Sequence, residues 1–345
     1  MSDLRLTLVV LLCVITAEVK LSTDRCGSGI GKCDSGYCCS KYNWCGKTSD
    51  HCGSGCQTSY GTCDSSSSGS SSGSGSSSNL KWVGFRFSQG GSSSSFGSVP
   101  SGDSWVSYTS RFKSYFTSSA KGTVIVIVSA YISNGVTKFY FKPPSGYSQT
   151  SKINYSDSDR LESTLTKFDN NGIHVWLQVE PGNNDLSTLA KIVFARYKHH
   201  SCVKGFGVDL EWWYPGSDGS GSKITDSQAQ SLVNTVRGIN SGYTVFLKHW
   251  EKSYMPPNYR SNLIFVNDGN GFDNLDHVKS YAASWASKFS GGKVMFQIGY
   301  AADKWMWSSN PISFAKAFRD SAIPYNSNVG ILWVDFTAKT LLDKI

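Results

Sequence analysis

Cysteine is almost missing from the greater part of this sequence: after residue 63 only Cys202 remains. A disulfide framework spanning the whole chain is therefore excluded. Basic runs are missing as well. The 33 Lys and Arg against 25 Asp and Glu give a formal charge of +8, but the positive residues are scattered. We read that charge as solvated surface and expect neither nucleic acid nor a membrane as partner. Long apolar runs are scarce too. The stretch from Leu6 to Ala17 holds about a dozen apolar residues, whereas a bilayer span needs roughly 20. No glycine-rich phosphate loop follows the first β-like run beyond residue 79, which counts against an open, doubly wound nucleotide-binding sheet. No His or Cys stands at ligand spacing around His249, so neither a metal nor a cofactor is expected.

The short Arg-containing start and the apolar run after it have the plan of a secretory signal peptide over 1–17. A signal anchor is the alternative, because Ile15-Thr16-Ala17 is only a fair cleavage site. Eight of the ten cysteines lie between Cys26 and Cys63, a density useful only in an oxidising compartment. Both features predict a secreted, extracellular protein. Cys13 leaves with the signal peptide. Cys202, at the start of an apolar strand, reads as a buried structural thiol. Composition changes at Asp64, and Ser65 to Ser78 contains only Ser and Gly. Residues 64–79 are thus expected to be a flexible linker with a span of roughly 20 Å. Asn154-Tyr155-Ser156 is an N-glycosylation sequon, plausible on a surface loop. No docking module is recognisable, and a monomer is expected.

Residues 80–345 alternate between β-rich runs and amphipathic stretches, the pattern of a parallel sheet wrapped by helices. Eight runs are predicted as strands: Trp82–Phe87, Val124–Tyr131, His174–Val179, Gly205–Trp212, Thr244–Trp250, Leu263–Val266, Val294–Tyr300 and Val329–Phe336. Helices are predicted over Trp105–Thr117, Asp157–Asn170, Leu186–Tyr197, Asp226–Ile239, Leu275–Phe289, Ile312–Ser321 and Lys339–Ile345. Eight such units fit the ~250-residue size of an α/β (β/α)8 TIM barrel. His199-His200 follows a predicted helix and reads as a structural pair favoured by the helix dipole.

The N-terminal cysteines are spaced Cys26-x6-Cys33-x4-Cys38-Cys39-x5-Cys45-x6-Cys52-x3-Cys56-x6-Cys63. So short a run, poor in large aliphatic side chains, cannot stabilise a core by burial and needs disulfides to constrain the unfolded chain. Spacing alone leaves all 105 connectivities of eight cysteines open. The stretch from Cys38 to Gly46, with the cysteines and glycines around it, resembles hevein-like chitin-recognition domains, carbohydrate-binding module family 18. The resemblance covers residues 25–63 and makes chitin the expected partner. It implies the pairs Cys26–Cys39, Cys33–Cys45, Cys38–Cys52 and Cys56–Cys63, and ligand contacts from Ser40, Tyr42 and Trp44. Aromatic rings stack on the apolar face of a sugar while hydroxyls take its polar edge. Where the family usually carries an aromatic before the sixth cysteine this sequence has His51, which predicts weaker or pH-dependent binding.

In a parallel barrel, reacting groups come from the C-terminal ends of strands. The fourth run, Gly205-Phe206-Gly207-Val208-Asp209-Leu210-Glu211-Trp212, places Gly207, Asp209 and Glu211 on one face by alternation and Phe206, Val208, Leu210 and Trp212 on the other. Two carboxyls buried together at the mouth would raise at least one pKa, as a general acid requires. This segment resembles the fourth strand of glycoside hydrolase family 18, whose motif is D-G-x-D-x-D-x-E. Gly205, Asp209 and Glu211 match it, whereas Lys204 and Gly207 stand at the other acidic positions. The resemblance implies Glu211 as general acid and Asp209 as the group orienting the substrate's acetamido, and the lost middle Asp puts activity in doubt. Gly330-Ile331-Leu332-Trp333 resembles the family's eighth strand, with Trp333 flooring a subsite.

Gln178, Glu180, Trp250, Asp268, Gln297 and Tyr300 lie at other strand ends and are expected to line a polysaccharide cleft. The leading expectation is a chitin-anchored glycoside hydrolase acting on chitin or a related N-acetylglucosamine-containing wall polysaccharide. Two alternatives stay open: a catalytically silent chitinase-like lectin, and a muramidase, since family 25 also places Asp-x-Glu at a barrel strand end.

Overall fold

The computed structural model describes residues 25–46, 49–52, 55–63 and 80–345. The expected signal peptide, 1–17, and linker, 64–79, lie outside the described residues. The chain divides into two compact units, one holding 25–63 and the other 80–345.

In the first unit Cys38–Cys39 and Cys45–Gly46 form an antiparallel pair, followed by the short helix Ser49–Cys52. Four disulfides join Cys26 to Cys39, Cys33 to Cys45, Cys38 to Cys52 and Cys56 to Cys63. This is the pairing the hevein resemblance implies, and it takes the place of an aliphatic core.

The second unit is a closed barrel of eight parallel strands: β1 (Trp82–Phe87), β2 (Lys121–Ile127), β3 (His174–Val179), β4 (Val203–Asp209), β5 (Thr244–Lys248), β6 (Leu263–Asn267), β7 (Lys293–Ile298) and β8 (Val329–Val334). Neighbours in sequence are neighbours in the ring, and β8 closes on β1 with Gly330 opposite Trp82 and Val334 opposite Arg86. Helices α1 (Gln89–Phe96), α2 (Gly102–Lys113), α3 (Glu162–Asn170), α4 (Leu186–Tyr197), α5 (Asp226–Ile239), α6 (Leu275–Lys288), α7 (Pro311–Ala322) and α8 (Ala338–Leu342) occupy most of the crossovers. Capping explains several of their starts. Asp185 accepts from Thr188 N, Thr225 forms a capping box with Gln228, and Asn310 precedes Pro311 at the first helical position.

Strand alternation divides the apolar residues between two cores. Ile125, Trp176, Phe246, Ile264, Val266, Met295 and Leu332 fill the inside of the ring. Their neighbours Val124, Val175, Val245, Phe265, Phe296 and Trp333 belong to the larger core that includes helix residues such as Phe112 and Leu189.

Three departures from the predicted elements bear on the site. The second predicted strand, Val124–Tyr131, is broken: Val128 N turns to Gln178 O at 2.8 Å, and the chain enters a three-stranded sheet of Ser129–Ser133, Val136–Phe139 and Ile153–Tyr155. The sequon residue Asn154 is therefore on an edge strand and not on a loop. The fourth predicted strand, Gly205–Trp212, stops at Asp209, and Leu210–Trp212 is a 3₁₀ turn closed by Trp213 N on Leu210 O at 3.1 Å. Trp212 thus leaves the outer face assigned to it by alternation and stacks on Tyr131 at 5.4 Å. Helix α1 was not anticipated, since Gln89–Phe96 is mostly Gly and Ser. It forms because Ser88 Oγ accepts from Gly91 N at 3.0 Å and caps it.

The interior also accounts for Gly207. A Cβ there would come within 2.0 Å of Phe246 Cζ, so the ring of β5 fills the space a side chain on β4 would need. Gly207→Asp, which restores the acidic residue of the resembled motif, should destabilise the barrel by at least ~3 kcal/mol through overpacking and a buried charge. Urea unfolding of the variant beside the wild type measures this.

Candidate active site

The layer above the inner apolar core is made of polar and charged residues, each at or just past a strand's C-terminal end. Arg86 comes from β1, Gln178 from β3, Asp209 from β4, Lys248 from β5, Asp268 follows β6, and Gln297 comes from β7. All are buried. At their centre is the Lys248 ammonium. Its Nζ lies 3.1 Å from Asp209 Oδ2 and 3.5 Å from Glu211 Oε2, and it donates a hydrogen bond to Asp268 Oδ2. Gln178 Nε2 donates to the same Asp209 oxygen at 3.1 Å. Beside this group Arg86 pairs with Asp335 at 3.0 Å, and Asp335 also accepts from Ser88 N at 2.6 Å. The β1 and β8 ends are tied together by that contact.

Glu180, one residue past β3, accepts from Tyr131 N at 2.8 Å. Tyr300 donates to Gln297 Oε1 at 3.3 Å. Gln178 Oε1, Asp209 Oδ1, Asp268 Oδ1 and Gln297 Nε2 are buried with no protein partner, so the layer keeps polar capacity directed into the ring.

Charge decides what this layer does. Two cations, Arg86 and Lys248, face five carboxyls: Asp209, Glu211, Asp268, Asp335 and Glu180. Burial opposes the ammonium charge, but Asp209 and Asp268 outweigh it and hold Lys248 protonated, well above the ordinary lysine range. A lysine so held is a counter-ion and not a nucleophile. One ammonium cannot neutralise all its carboxyl neighbours. Burial accordingly raises Asp209 well above the usual range, with Glu211 and Asp268 adding to the effect. Glu211 is raised by burial and by Asp268, against the pull of Lys248, and Glu180 is raised chiefly by burial.

The site residues expected from the sequence are distributed unevenly. Gln178, Asp209, Glu211 and Asp268 surround Lys248, with Glu180 electrostatically coupled to Glu211 and Gln297 bonded to Tyr300. Trp333 is a correction: it is fully buried, packs against Trp307 and Phe112, and bonds Thr337 Oγ1 at 2.9 Å. On β8 it is Leu332 that points inward, so Trp333 floors no subsite. Trp250 stacks on His249, which is sandwiched by Tyr254 on its other side. His249 donates to Ser220 O and accepts from Glu251 N, and burial lowers its pKa, so it is a neutral structural residue. Cys202 is a buried free thiol whose pKa burial pushes up, as the reading of an inert residue expects. Sequence reasoning placed Lys248 only among the strand-end residues lining a cleft, not as a central counter-ion, and gave no role to Arg86. Their signal was a lone cation inside an otherwise apolar strand.

In the N-terminal unit, Tyr42 is 67% exposed and Trp44 half-buried, with the Arg25 guanidinium 4.5 Å from the Trp44 ring centre. Ser40 has a scaffold role. It is buried, and its Oγ accepts from Trp44 N at 3.2 Å and Tyr42 N at 3.4 Å, shaping the turn that displays both rings. Asn43, with φ of 64°, completes that turn, and Gln57 Nε2 bonds both Ser40 O and Asn43 Oδ1 at 2.7 Å. His51 lies against Gly46, where a Cβ would come within 2.5 Å of its ring.

Residues 25–63 match the family described as Chitin recognition protein, and form a hevein-like chitin-recognition domain. The chain is 41% identical over 71 residues to Endochitinase A2 of Pisum sativum, covering 20% of each chain. It is 44% identical over 52 residues to a basic endochitinase of Vitis vinifera, covering 14% of this chain and 17% of that one. It is also 49% identical over 41 residues to a chitin deacetylase of Pestalotiopsis sp, covering 12% and 14%. The chain thus spans about a fifth or less of the length of these relatives. Among solved structures it is similar to the endo-1,4-beta-mannanase of Rhizomucor miehei, with a TM-score of 0.41, 10% identity, and coverage of 73% of this chain and 85% of that one. The beta-1,4-D-mannanase of Cryptopygus antarcticus gives a TM-score of 0.41, 14% identity, and coverage of 76% and 90%.

Two outcomes are expected. Tyr42→Ala should weaken retention on chitin beads by about 10-fold, a loss of roughly 1–1.5 kcal/mol of stacking, with the disulfides intact by mass. The raised carboxyls also set a pH slope. Asp209, Glu211 and Glu180 bind protons more tightly folded than unfolded. Their stabilising contribution is fully present below the unfolded value near ~4 and is lost as pH rises through the folded values. Barrel stability should therefore fall as pH rises above the unfolded carboxyl range, and Glu211→Gln should flatten that slope in thermal melts.

Proposed function

We propose that this is a secreted, chitin-anchored glycoside hydrolase in which Glu211 protonates the glycosidic oxygen of chitin or a related N-acetylglucosamine-containing wall polysaccharide. The observation that carries the reading is the exposure of Glu211. Of the three carboxyls around Lys248, its side chain is 27% exposed, against 5% for Asp209 and 7% for Asp268, and its pKa is raised. A general acid must both hold a proton near neutrality and reach its substrate. Glu211 alone of the three meets both conditions.

The other residues take supporting roles. Asp209 is buried and engaged by Lys248 and Gln178, so it does not reach a sugar acetamido. Its part is structural, holding Lys248 and Gln178 in place, while Asp268 is the acidic neighbour that raises Glu211 and favours its proton. Glu180 accepts from Tyr131 N and stands beside Glu211 as a second carboxyl at the mouth, although burial raises its pKa and opposes its ionised form. The stacked Tyr131 and Trp212, carried by the loops after β2 and β4, offer an aromatic surface beside these carboxyls. The chitin-recognition domain raises the local concentration of polymer at the barrel.

A lectin reading has one observation in its favour. Phe246 occupies the space that the middle acidic residue of the resembled motif would need, so that motif's substrate-assisted chemistry is incomplete. The experiment that separates the two uses the full chain on colloidal chitin and chitin oligomers, with peptidoglycan alongside. The wild type should release reducing ends, and Glu211→Gln should lower kcat by about 10²–10⁴-fold while binding chitin as before. The rate should fall as pH rises through the raised Glu211 value, because the acid form is then lost. A wild type that binds chitin but releases nothing would leave the lectin.

A further inference from the structure

A second cluster of titratable groups stands away from the barrel mouth, where α3 and α4 meet, and plays no part in the chemistry above. We propose that Glu162, His199 and His200 form a binding site for a divalent transition metal of the zinc class.

Three observations support this. The first is convergence. Glu162 Oε1 lies 2.8 Å from His199 Nε2 and 3.3 Å from His200 Nε2, and all three ligand atoms fall within 4.8 Å of one another. Tetrahedral zinc with N and O ligands at ~2.0–2.1 Å has ligand-to-ligand edges of about 3.3–3.4 Å, so the set is already near the required spacing. Two imidazoles and a carboxylate are also a donor set that zinc accepts.

The second is the orientation of His200. Its Nδ1 lies 2.6 Å from Asp169 Oδ2, and Asp169 Oδ1 is in turn held by Cys202 N at 2.7 Å and Ser201 Oγ at 3.2 Å. A carboxylate that takes one ring N–H and thereby aims the other nitrogen is the arrangement found behind metal-bound histidines. His200 is buried, and its Nε2 makes no hydrogen bond. With Nδ1 donating to Asp169, a lone pair on Nε2 faces the Glu162 oxygen across a gap that a cation would fill.

The third is the fixing of the carboxylate. Arg196 bonds Asp159 Oδ2 through Nε at 2.6 Å and Glu162 Oε2 through Nη2 at 2.8 Å. It therefore occupies the other Glu162 oxygen and leaves Oε1 for the metal. The His199 side chain is 53% exposed, which leaves a fourth position open to water. The neighbouring set of Asp169, His200 and Cys202 is a poorer locus. Burial keeps the Cys202 thiol protonated, and its S–H is directed at Leu165 O. Bound at Glu162, His199 and His200, the metal would pin the first turn of α3 to the segment following α4.

The test uses the full chain, stripped by a chelator, saturated with zinc chloride and washed free of excess. We expect about one zinc per chain by elemental analysis, tetrahedral d–d absorption with cobalt(II) in its place, and a melting temperature raised by zinc and restored by chelator. His199→Ala, at an exposed position that folding does not need, should abolish retention. Asp169→Asn should weaken zinc affinity by about 10–100-fold, and His277→Ala should leave it unchanged. If the wild type retains no zinc, or if His199→Ala retains as much, the cluster is an ion-pair network only and the proposal fails.

Discussion

A lysine side chain buried among carboxyls governs the barrel mouth. Lys248 reaches the top of the ring along the same face of β5 as Phe246, and three acidic side chains from the ends of β4 and β6 close around it. Breaking one partner of such a group strands the rest in a low-dielectric site, a cost of several kcal/mol. The surrounding ring therefore has to hold its strand ends at fixed separations. The same shortage of cations that makes the cluster demanding raises the proton affinity of Asp209 and Glu211. The stability of the mouth and the proton affinity of its carboxyls have one electrostatic origin.

The division between inside and outside along each strand was readable wherever alternation was uninterrupted. The bounds of β1, β3, α4 and α5 agree with the periodicity of Trp82–Phe87, His174–Val179, Leu186–Tyr197 and Asp226–Ile239. The disulfide pairs were readable only through resemblance, because spacing does not choose among connectivities. Where reading failed, a tertiary contact overruled a local pattern. Glu211 reaches the mouth, but on a 3₁₀ turn closed by Trp213 and Gly182, and Trp212 turned with it. Trp333 was assigned by motif likeness although strand parity placed Leu332 inside. Helix α1 has no apolar stripe to detect, since a serine cap and contacts at its ends hold it in place. A lone charged residue in an apolar strand, as at Arg86 and Lys248, was the unused signal for a buried polar layer.

The two units solve the problem of stability differently. The N-terminal one replaces a core with four covalent links, which frees its aromatic residues for display, and Tyr42 stands well out of the surface. Ser40 shows the scaffold at the scale of one hydroxyl: it accepts from the backbone amides of Tyr42 and Trp44 and shapes the turn that carries both rings. The barrel buries its aromatics instead, and those left near the mouth are held in pairs, Tyr131 with Trp212 and His249 with Trp250.

The small sheet after β2 ends in the three-residue strand Ile153–Tyr155, which among the described residues pairs on one side only. An open border of this kind is where separate molecules join through their backbones, and natural proteins keep such borders short or obstructed. Asn154 lies in the middle of this one and within a glycosylation sequon. An oligosaccharide there would stand as a bulky hydrated bumper, keeping the molecule apart from its own kind.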